Sequence, residues 1–97
     1  METILLVEDS KFLRAATERI LTKAGYQVIC AGDGDDALEL AGSSLPHLIV
    51  LDMMLPKLSG PEVLRSLKKN DLTAHIPVLV LSGLSQNNVT DFSTASP

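Results

Sequence analysis

The sequence predicts an α/β fold in which an open, doubly wound parallel sheet carries helices on both faces. Two observations predict it. Three short apolar runs lack any alternation of polar and apolar residues, which is typical of strands buried on both faces of a parallel sheet. These runs alternate with helical patterns in the order β-α-β-α-β-α-β, and right-handed crossovers then place helices on both faces. The runs are TILLV at 3–7, LIVL at 48–51 and PVLVLS at 77–82.

Length and composition indicate one small domain, residues 1–97, with an aliphatic core. The chain has 97 residues, 45% of them hydrophobic and 3% aromatic, and 97 residues are too few for two domains. The net charge is −4 with scattered basic residues, which argues against nucleic acid or an anionic membrane as a partner. The first apolar stretch is too short for a signal peptide or a membrane span, so we expect a cytoplasmic location.

The first strand is followed by a strongly patterned helix. Ser10 is a good N-cap for the segment KFLRAATERILTKA, and Gly25 can adopt the left-handed conformation that ends a helix. The run YQVICA at 26–31 alternates only partly and suits an edge strand, in which we expect Cys30 to be a small buried hydrophobe. One apolar face of the predicted helix contains Leu13, Ala16, Ile20 and Ala24.

Two further helices are predicted from their terminal residues. DDALELA at 35–41 follows Asp33 and Gly34, places acids at the positive end of the helix dipole, and is expected to end near Gly42. PEVLRSLKKN begins with Pro61 in the first turn and ends in two lysines and an asparagine. Each helix therefore separates two strands.

Acidic and hydroxyl residues follow the strands at the edge where parallel sheets bind ligands. Glu8 and Asp9 follow the first strand, Asp52 the third and Ser82 the fourth. Taken singly, each has a structural explanation: Glu8 and Asp9 can cap a helix, Asp52 can form a turn, and Ser82 can end a strand. Taken together, these explanations weaken because a parallel sheet brings all these strand ends to the same edge.

Such a cluster needs a cation. Two carboxylates about 4 Å apart repel by about 1 kcal/mol in water and by about 4 kcal/mol at an effective dielectric constant near 20. A site made only of oxygen ligands favours Mg²⁺ over Zn²⁺. A metal beside one carboxylate, with a hydroxyl opposite, is an arrangement for phosphoryl transfer, in which Asp52 is the candidate nucleophile and Ser82 donates to a phosphoryl oxygen. Glu8 and Asp9 are the candidate metal ligands.

Four segments together cover nearly the whole chain: ILLVEDS, AGDGDDALEL, PHLIVLDMMLPKLSGPEVL and IPVLVLSG. In their order and spacing they resemble successive blocks of the response-regulator receiver domain of two-component signalling. The resemblance implies a flavodoxin-like sheet of strand order 2-1-3-4-5. This chain would supply the order 2-1-3-4, with the fifth strand and fifth helix missing.

The resemblance also implies roles for single residues. Asp52 matches the phosphoacceptor and is a ligand of Mg²⁺, together with the acidic pair Glu8 and Asp9. Met54 matches the position whose backbone carbonyl binds the metal. Ser82 matches the switch hydroxyl.

Three further positions match the receiver pattern. Gly83 fills a place that is usually small and leaves room for the phosphoryl donor. Pro56 and Gly60 match the turn that shapes the loop after the acceptor strand. His47 and His75 have no counterpart in this scheme, and we expect both to be loop residues away from the acidic edge.

The chain departs from the receiver pattern in its last third. Receivers have a lysine at the end of the fifth strand, whereas this chain has no Lys or Arg after Lys69. We therefore expect the domain to be incomplete at its C-terminus and the fourth strand to be an exposed apolar edge. Such an edge would favour a homodimer, by strand exchange or through a helix from a neighbour. We expect Mg²⁺ binding to persist and switching to be impaired.

The leading functional interpretation is a signalling module, not an enzyme, that accepts a phosphoryl group from a histidine kinase or a phosphotransfer protein. One alternative is a degenerate receiver that serves only as an interaction or dimerisation surface. A weaker alternative is a Mg²⁺-dependent phosphatase with an aspartyl-phosphate intermediate. Those phosphatases usually have a second acid two residues after the nucleophile, where this chain has Met54.

Overall fold

A computed structural model describes residues 2–53, 55, 58–81 and 91–93 of the chain. No helix in these ranges is both long and apolar enough to cross a membrane. The strands are β1 (Thr3–Val7), β2 (Gln27–Ala31), β3 (Leu48–Asp52), β4 (Val78–Leu81) and β5 (Asp91–Ser93), and the helices are α1 (Lys11–Lys23), α2 (Gly34–Ser44) and α3 (Gly60–Lys69).

The strands form one sheet in the order β2-β1-β3-β4-β5. β1 lies between β2 and β3, and these pairs, like the pair of β3 with β4, are parallel. The predicted order 2-1-3-4, with β2 at an edge, is therefore confirmed. Val7 lies opposite Leu51, and Asp52 lies opposite Leu81. The carboxyl ends of β1, β3 and β4 consequently meet at one edge, called here the C-terminal edge.

The prediction that β4 forms an exposed edge is wrong. β5 pairs with β4 in the antiparallel sense, with Leu79 opposite Phe92. The physical reason is that an unpaired strand presents a row of free N–H and C=O groups, which the chain's own downstream backbone satisfies. A parallel partner would need a crossover of a dozen or more residues, whereas a reversal of direction needs a shorter connection. The stretch 82–90 that makes this connection lies outside the described residues.

The two faces of the sheet bury different amounts of apolar surface. Alternate strand residues point to opposite faces, and α2 and α3 cover the face with the larger core. The smaller core on the other face contains Ile4, Leu6 and Val50, with Leu21 of α1 packed against it. The larger core contains Leu5, Val7, Ala31, Ala37, Ala41, Ile49, Leu51, Val63, Leu67, Ile76 and Val78.

Helix α1 begins and ends as predicted, but its apolar face is not buried. Ser10 Oγ accepts a hydrogen bond from Leu13 N at 3.2 Å, and Gly25 has φ +104°. Leu13 is 51% exposed and Ile20 66% exposed, because α1 packs on β1 and β2 through its Leu21 side instead. The apolar face predicted from periodicity therefore does not pack on the sheet, and its Leu13 and Ile20 side chains are exposed in this structure.

Helix α2 is longer than predicted. It starts after Asp33, whose side chain accepts from Asp36 N at 2.9 Å, and it continues through Gly42 to Ser44. A helical glycine costs only about 1 kcal/mol relative to alanine, and the neighbouring Ala41 is fully buried in the larger core. The burial of Ala41 therefore stabilises the last turn of α2, so the helix continues beyond Gly42.

The first turn of α2 packs tightly against the loop that follows β3. A Cβ on Gly34 would lie 2.6 Å from Leu58 Cβ and 2.8 Å from Leu58 O, whereas a Cβ on Gly42 would meet nothing within 4 Å. α3 then begins with a capping box in which Ser59 and Glu62 satisfy each other's backbone N–H groups. Leu58 and Ser59, at the end of the loop after β3, are thus held by contact with α2 and by the cap of α3.

These contacts predict opposite effects for the same substitution at two positions of one helix. Gly34→Ala should lower the free energy of unfolding by about 1 to 2 kcal/mol, because the added methyl group must displace backbone of the loop. Gly42→Ala should raise it by up to about 1 kcal/mol, because alanine is the better helix former and the space is open. Urea denaturation of the two variants checks this, and equal effects would show that the loop is not packed on α2.

Candidate metal centre

Three carboxylates converge at the C-terminal edge. Asp52 is the last residue of β3 and is 6% exposed, while Glu8 is half-buried and Asp9 exposed. One carboxylate oxygen from each residue lies within 4.8 Å of the others. β1 and β3 pair in parallel, with Val7 opposite Leu51. This register places Glu8 and Asp9, which follow Val7, beside Asp52, which follows Leu51. The structure thus brings together the three acids that the strand-end rule selects.

Glu8 is held on all sides by hydrogen bonds. Its backbone N–H donates to Ala31 O at 3.0 Å, its carbonyl accepts from Arg14 Nη1 at 2.8 Å, and its Oε2 accepts from Ser10 N at 3.1 Å. The bond to Ser10 supports the start of α1, which is the structural role considered for this acid. Glu8 therefore supports a helix and belongs to the acidic cluster at the same time.

Burial raises the pKa of the Glu8 carboxyl above its ordinary value, and the hydrogen bond from Ser10 N partly opposes this. The neighbouring Asp52 raises the Glu8 pKa further, through its charge and through a hydrogen bond that protonated Glu8 can donate to it; Asp9 adds a smaller repulsion. No cation among the described residues is a cause of the shift. The cluster consequently concentrates negative charge.

The donor set fits a hard divalent cation. All three candidate ligands are carboxylate oxygens, which suit Mg²⁺ completed by waters, whereas Zn²⁺ favours nitrogen and sulfur. Within the described ranges, the three acids form the one group of three or more acidic, histidine or cysteine side chains that could hold a metal ion. His47 lies at the opposite end of the sheet, where its Nδ1 accepts from Thr3 N at 3.0 Å. It is an exposed loop residue, as predicted.

Several predicted site residues cannot be placed. Met54, Ser82, Gly83 and Pro56 lie outside the described residues. Gly60 is described, and it lies directly against the residue that follows Asp52. A Cβ on Gly60 would come within 2.6 Å of Met53 Cα, so only glycine lets α3 start this close to the end of β3.

Sequence reasoning missed one residue that contacts this cluster. Arg14 of α1 donates to the Glu8 carbonyl, yet helical periodicity marks it only as a polar position next to an apolar face. Two features of the sequence point to this contact. Arg14 has a long side chain, and it lies near the start of the helix that follows the two acids, where helical side chains lean towards the N-terminus and hence towards Glu8.

The shifted Glu8 carboxyl predicts how the stability of the metal-free chain depends on pH. The folded state holds the Glu8 proton more tightly than the unfolded state, so stability falls as the pH rises from 4.5, the ordinary value, through the raised pKa. Glu8→Gln stays neutral and should be the more stable chain above this window and equal to wild type below it. Thermal unfolding at several pH values, with the exposed Glu39→Gln as control, measures the difference; a difference independent of pH would contradict the assignment.

Comparisons with known proteins agree with this arrangement. The response regulator receiver domain family matches residues 4–95. The chain is 40% identical over 82 residues to the transcriptional regulatory protein AfsQ1 of Streptomyces coelicolor, covering 84% of this chain and 35% of that protein. It is 43% identical over 79 residues to the alkaline phosphatase synthesis transcriptional regulatory protein PhoP of Bacillus subtilis, covering 81% and 32%.

A solved structure shows the same fold. The N-terminal domain of a response regulator receiver protein from Methanoculleus marisnigri superposes with a TM-score of 0.82 at 35% identity, covering 84% of this chain and 67% of that one. The chain spans about a third of the length of the curated relatives it matches. The sheet order, the acidic cluster and the family match agree, and the chain belongs to the response regulator receiver domain family.

Proposed function

We propose that this chain is a phosphoacceptor module of two-component signalling, in which Asp52 receives the phosphoryl group in a Mg²⁺-dependent reaction. The observation that carries the proposal is the position of Asp52. Its carboxylate is nearly buried at the end of a central strand and is grouped with Glu8 and Asp9 within 4.8 Å. The family match supports the same role.

The carboxylates of Glu8, Asp9 and Asp52 are the proposed Mg²⁺ ligands, with the Met54 backbone carbonyl as a fourth. When bound, Mg²⁺ would offset negative charge on the phosphoryl oxygens. In the absence of metal, burial raises the pKa of Glu8, and repulsion from Asp52 and Asp9 adds to this effect and works against the fully ionised cluster. The same repulsion favours the binding of a divalent cation.

In the proposed transfer, an Asp52 carboxylate oxygen attacks phosphorus and forms an O–P bond. The P–N bond to the phosphohistidine of the donor breaks, and its electron pair returns to the imidazole nitrogen, which can take a proton from solvent. The buried end of β3 fixes the direction of the attacking oxygen and limits its contact with water. Ser82 is proposed to donate a hydrogen bond to a phosphoryl oxygen, and Gly83 to leave space for the donor.

The proposed donor is a histidine kinase or a phosphotransfer protein. Two relatives are named as transcriptional regulatory proteins, but the similarity covers only about a third of each. The proposal therefore assigns the phosphoacceptor step to this chain and assigns no output. Under this proposal the module changes its surface in response to the phosphoryl group and does not turn over a substrate.

Intact-mass spectrometry with a small phosphodonor tests the proposal. Incubation with acetyl phosphate and Mg²⁺ should add the mass of one phosphoryl group to the wild-type chain. No adduct should form on Asp52→Ala or when Mg²⁺ is removed with a chelator. Asp35→Ala, which removes an exposed acid of α2 away from the cluster, is the matched control and should be labelled like wild type.

The other outcomes separate the competing functions. Rapid release of inorganic phosphate without a stable adduct would favour the phosphatase. Mg²⁺ binding without any adduct or phosphate release would favour a module that acts only through contacts with a partner. An adduct that persists on Asp52→Ala would contradict the assignment of Asp52.

A further inference from the structure

Arg14 connects α1 to the segment that carries the two acids after β1. Its Nη1 donates to the Glu8 carbonyl at 2.8 Å, and its backbone N donates to Ser10 O at 2.8 Å. The side chain of Arg14 is therefore hydrogen-bonded to Glu8, and its backbone to Ser10. The side-chain bond is partly buried, which shields it from competing water.

The surrounding backbone leaves room for this contact. A Cβ on Gly32 would lie 3.2 Å from Arg14 Nη1, so the guanidinium rests directly against the residue that follows β2. β2 also supplies Ala31 O, which accepts from Glu8 N at 3.0 Å. The Glu8 backbone is consequently fixed at its N–H by β2 and at its carbonyl by Arg14.

Fixing the Glu8 carbonyl has a consequence for Asp9. The Glu8 carbonyl and the Asp9 N–H belong to one planar peptide group, so the bond from Arg14 sets the direction in which Asp9 leaves the strand. Asp9 is exposed, and within the described part of the chain its carboxylate accepts no hydrogen bond. The position of that carboxylate in the cluster therefore depends on the backbone that Arg14 holds.

We propose that Arg14 is a positioning residue that orients the Glu8–Asp9 peptide so that both carboxylates can bind a divalent cation together with Asp52. The proposal rests on the proposed function, since it concerns the same metal centre. Arg14 acts through the Glu8 carbonyl and does not touch the phosphoryl group.

The direction in which Mg²⁺ affinity changes when Arg14 is replaced distinguishes a positioning role from a purely electrostatic one. Arg14 is a cation next to a proposed cation site, so its charge alone would weaken Mg²⁺ binding, and removing the charge would strengthen it. Positioning predicts the opposite, because the loss of a group that orients metal ligands typically lowers affinity by about 10-fold to 100-fold. The two explanations cannot both fit one titration.

The experiment is a calorimetric titration of the chain with Mg²⁺. Arg14→Met keeps the aliphatic stem but removes the donors, and it should bind Mg²⁺ about 10-fold to 100-fold more weakly than wild type. Arg14→Lys keeps the charge and a hydrogen-bond donor but places the donor differently. Its Mg²⁺ affinity should lie between those of Arg14→Met and wild type. Arg19→Met removes an exposed arginine of the same helix and should bind like wild type. Far-UV circular dichroism without metal confirms that each variant is folded.

If Arg14→Met does not fold, Arg14→Gln gives an independent variant, because it replaces the guanidinium with a shorter, uncharged amide. It should also weaken Mg²⁺ binding. Wild-type or tighter binding by Arg14→Met, or by Arg14→Gln where that variant replaces it, would overturn the positioning role. A wild-type chain that binds Mg²⁺ but takes no phosphoryl group would overturn the proposed function and leave this comparison valid, whereas one that binds no Mg²⁺ would overturn both.

Discussion

Ile49→Ala is expected to lower the free energy of unfolding by about 2 to 5 kcal/mol, whereas Ile20→Ala is expected to change it by less than about 0.5 kcal/mol. Ile49 is fully buried in the larger core, and its truncation leaves a cavity between the sheet and the helices α2 and α3. Ile20 is 66% exposed on α1 and loses little packing. Because small domains unfold with about 5 to 15 kcal/mol, the first change removes a large fraction of the stability.

Urea denaturation at several protein concentrations measures both values. Under the described fold, the result for Ile20→Ala does not depend on concentration. A large loss for Ile20→Ala that grows with protein concentration would show that a second copy covers the exposed face of α1 in solution. A small loss for Ile49→Ala would contradict the assignment of the larger core.

Asp9→Asn is expected to have opposite effects on metal binding and on the stability of the metal-free chain. It removes one of three carboxylates, and we expect Mg²⁺ affinity to fall about 100-fold, or about 2.8 kcal/mol. The same change removes a charge that repels Glu8, so the metal-free chain should gain up to about 1 kcal/mol of stability. Titration calorimetry measures the first quantity and thermal unfolding without metal measures the second.

Asp35→Asn is the matched control for this substitution. Asp35 is an exposed acid in the first turn of α2, where it interacts favourably with the helix dipole and lies outside the acidic cluster. Its replacement should leave Mg²⁺ binding unchanged and slightly lower stability. If Asp9→Asn behaved like Asp35→Asn in both measurements, Asp9 would not belong to a metal centre.

The features that could be predicted from sequence depend on local patterns combined with topological rules. Uninterrupted apolar runs such as LIVL identify buried strands, and the alternation with helices sets the order of the sheet. The rule that ligands bind at strand ends then selects Glu8, Asp9 and Asp52, which the structure brings together. Helix caps such as Ser10 are equally local, because the capping hydrogen bond spans three residues.

The features that could not be predicted depend on contacts between distant segments. The pairing of β5 with β4 arises because a free strand edge is satisfied by whatever backbone can reach it. The exposure of Ile20 depends on which side of α1 meets the sheet, and periodicity cannot distinguish two neighbouring faces. The contact of Arg14 with the Glu8 carbonyl depends on the angle at which α1 leaves β1, which no local motif determines.

Chemical trapping of the acyl phosphate tests most directly whether Asp52 is the phosphoacceptor. Borohydride reduces an aspartyl phosphate to homoserine, so peptide sequencing by mass spectrometry reads the labelled position. After incubation with acetyl phosphate and Mg²⁺, we expect homoserine at position 52 alone, and none in Asp52→Asn or without Mg²⁺. Homoserine at position 9, or no homoserine at any position in a chain that binds Mg²⁺, would contradict the proposed function.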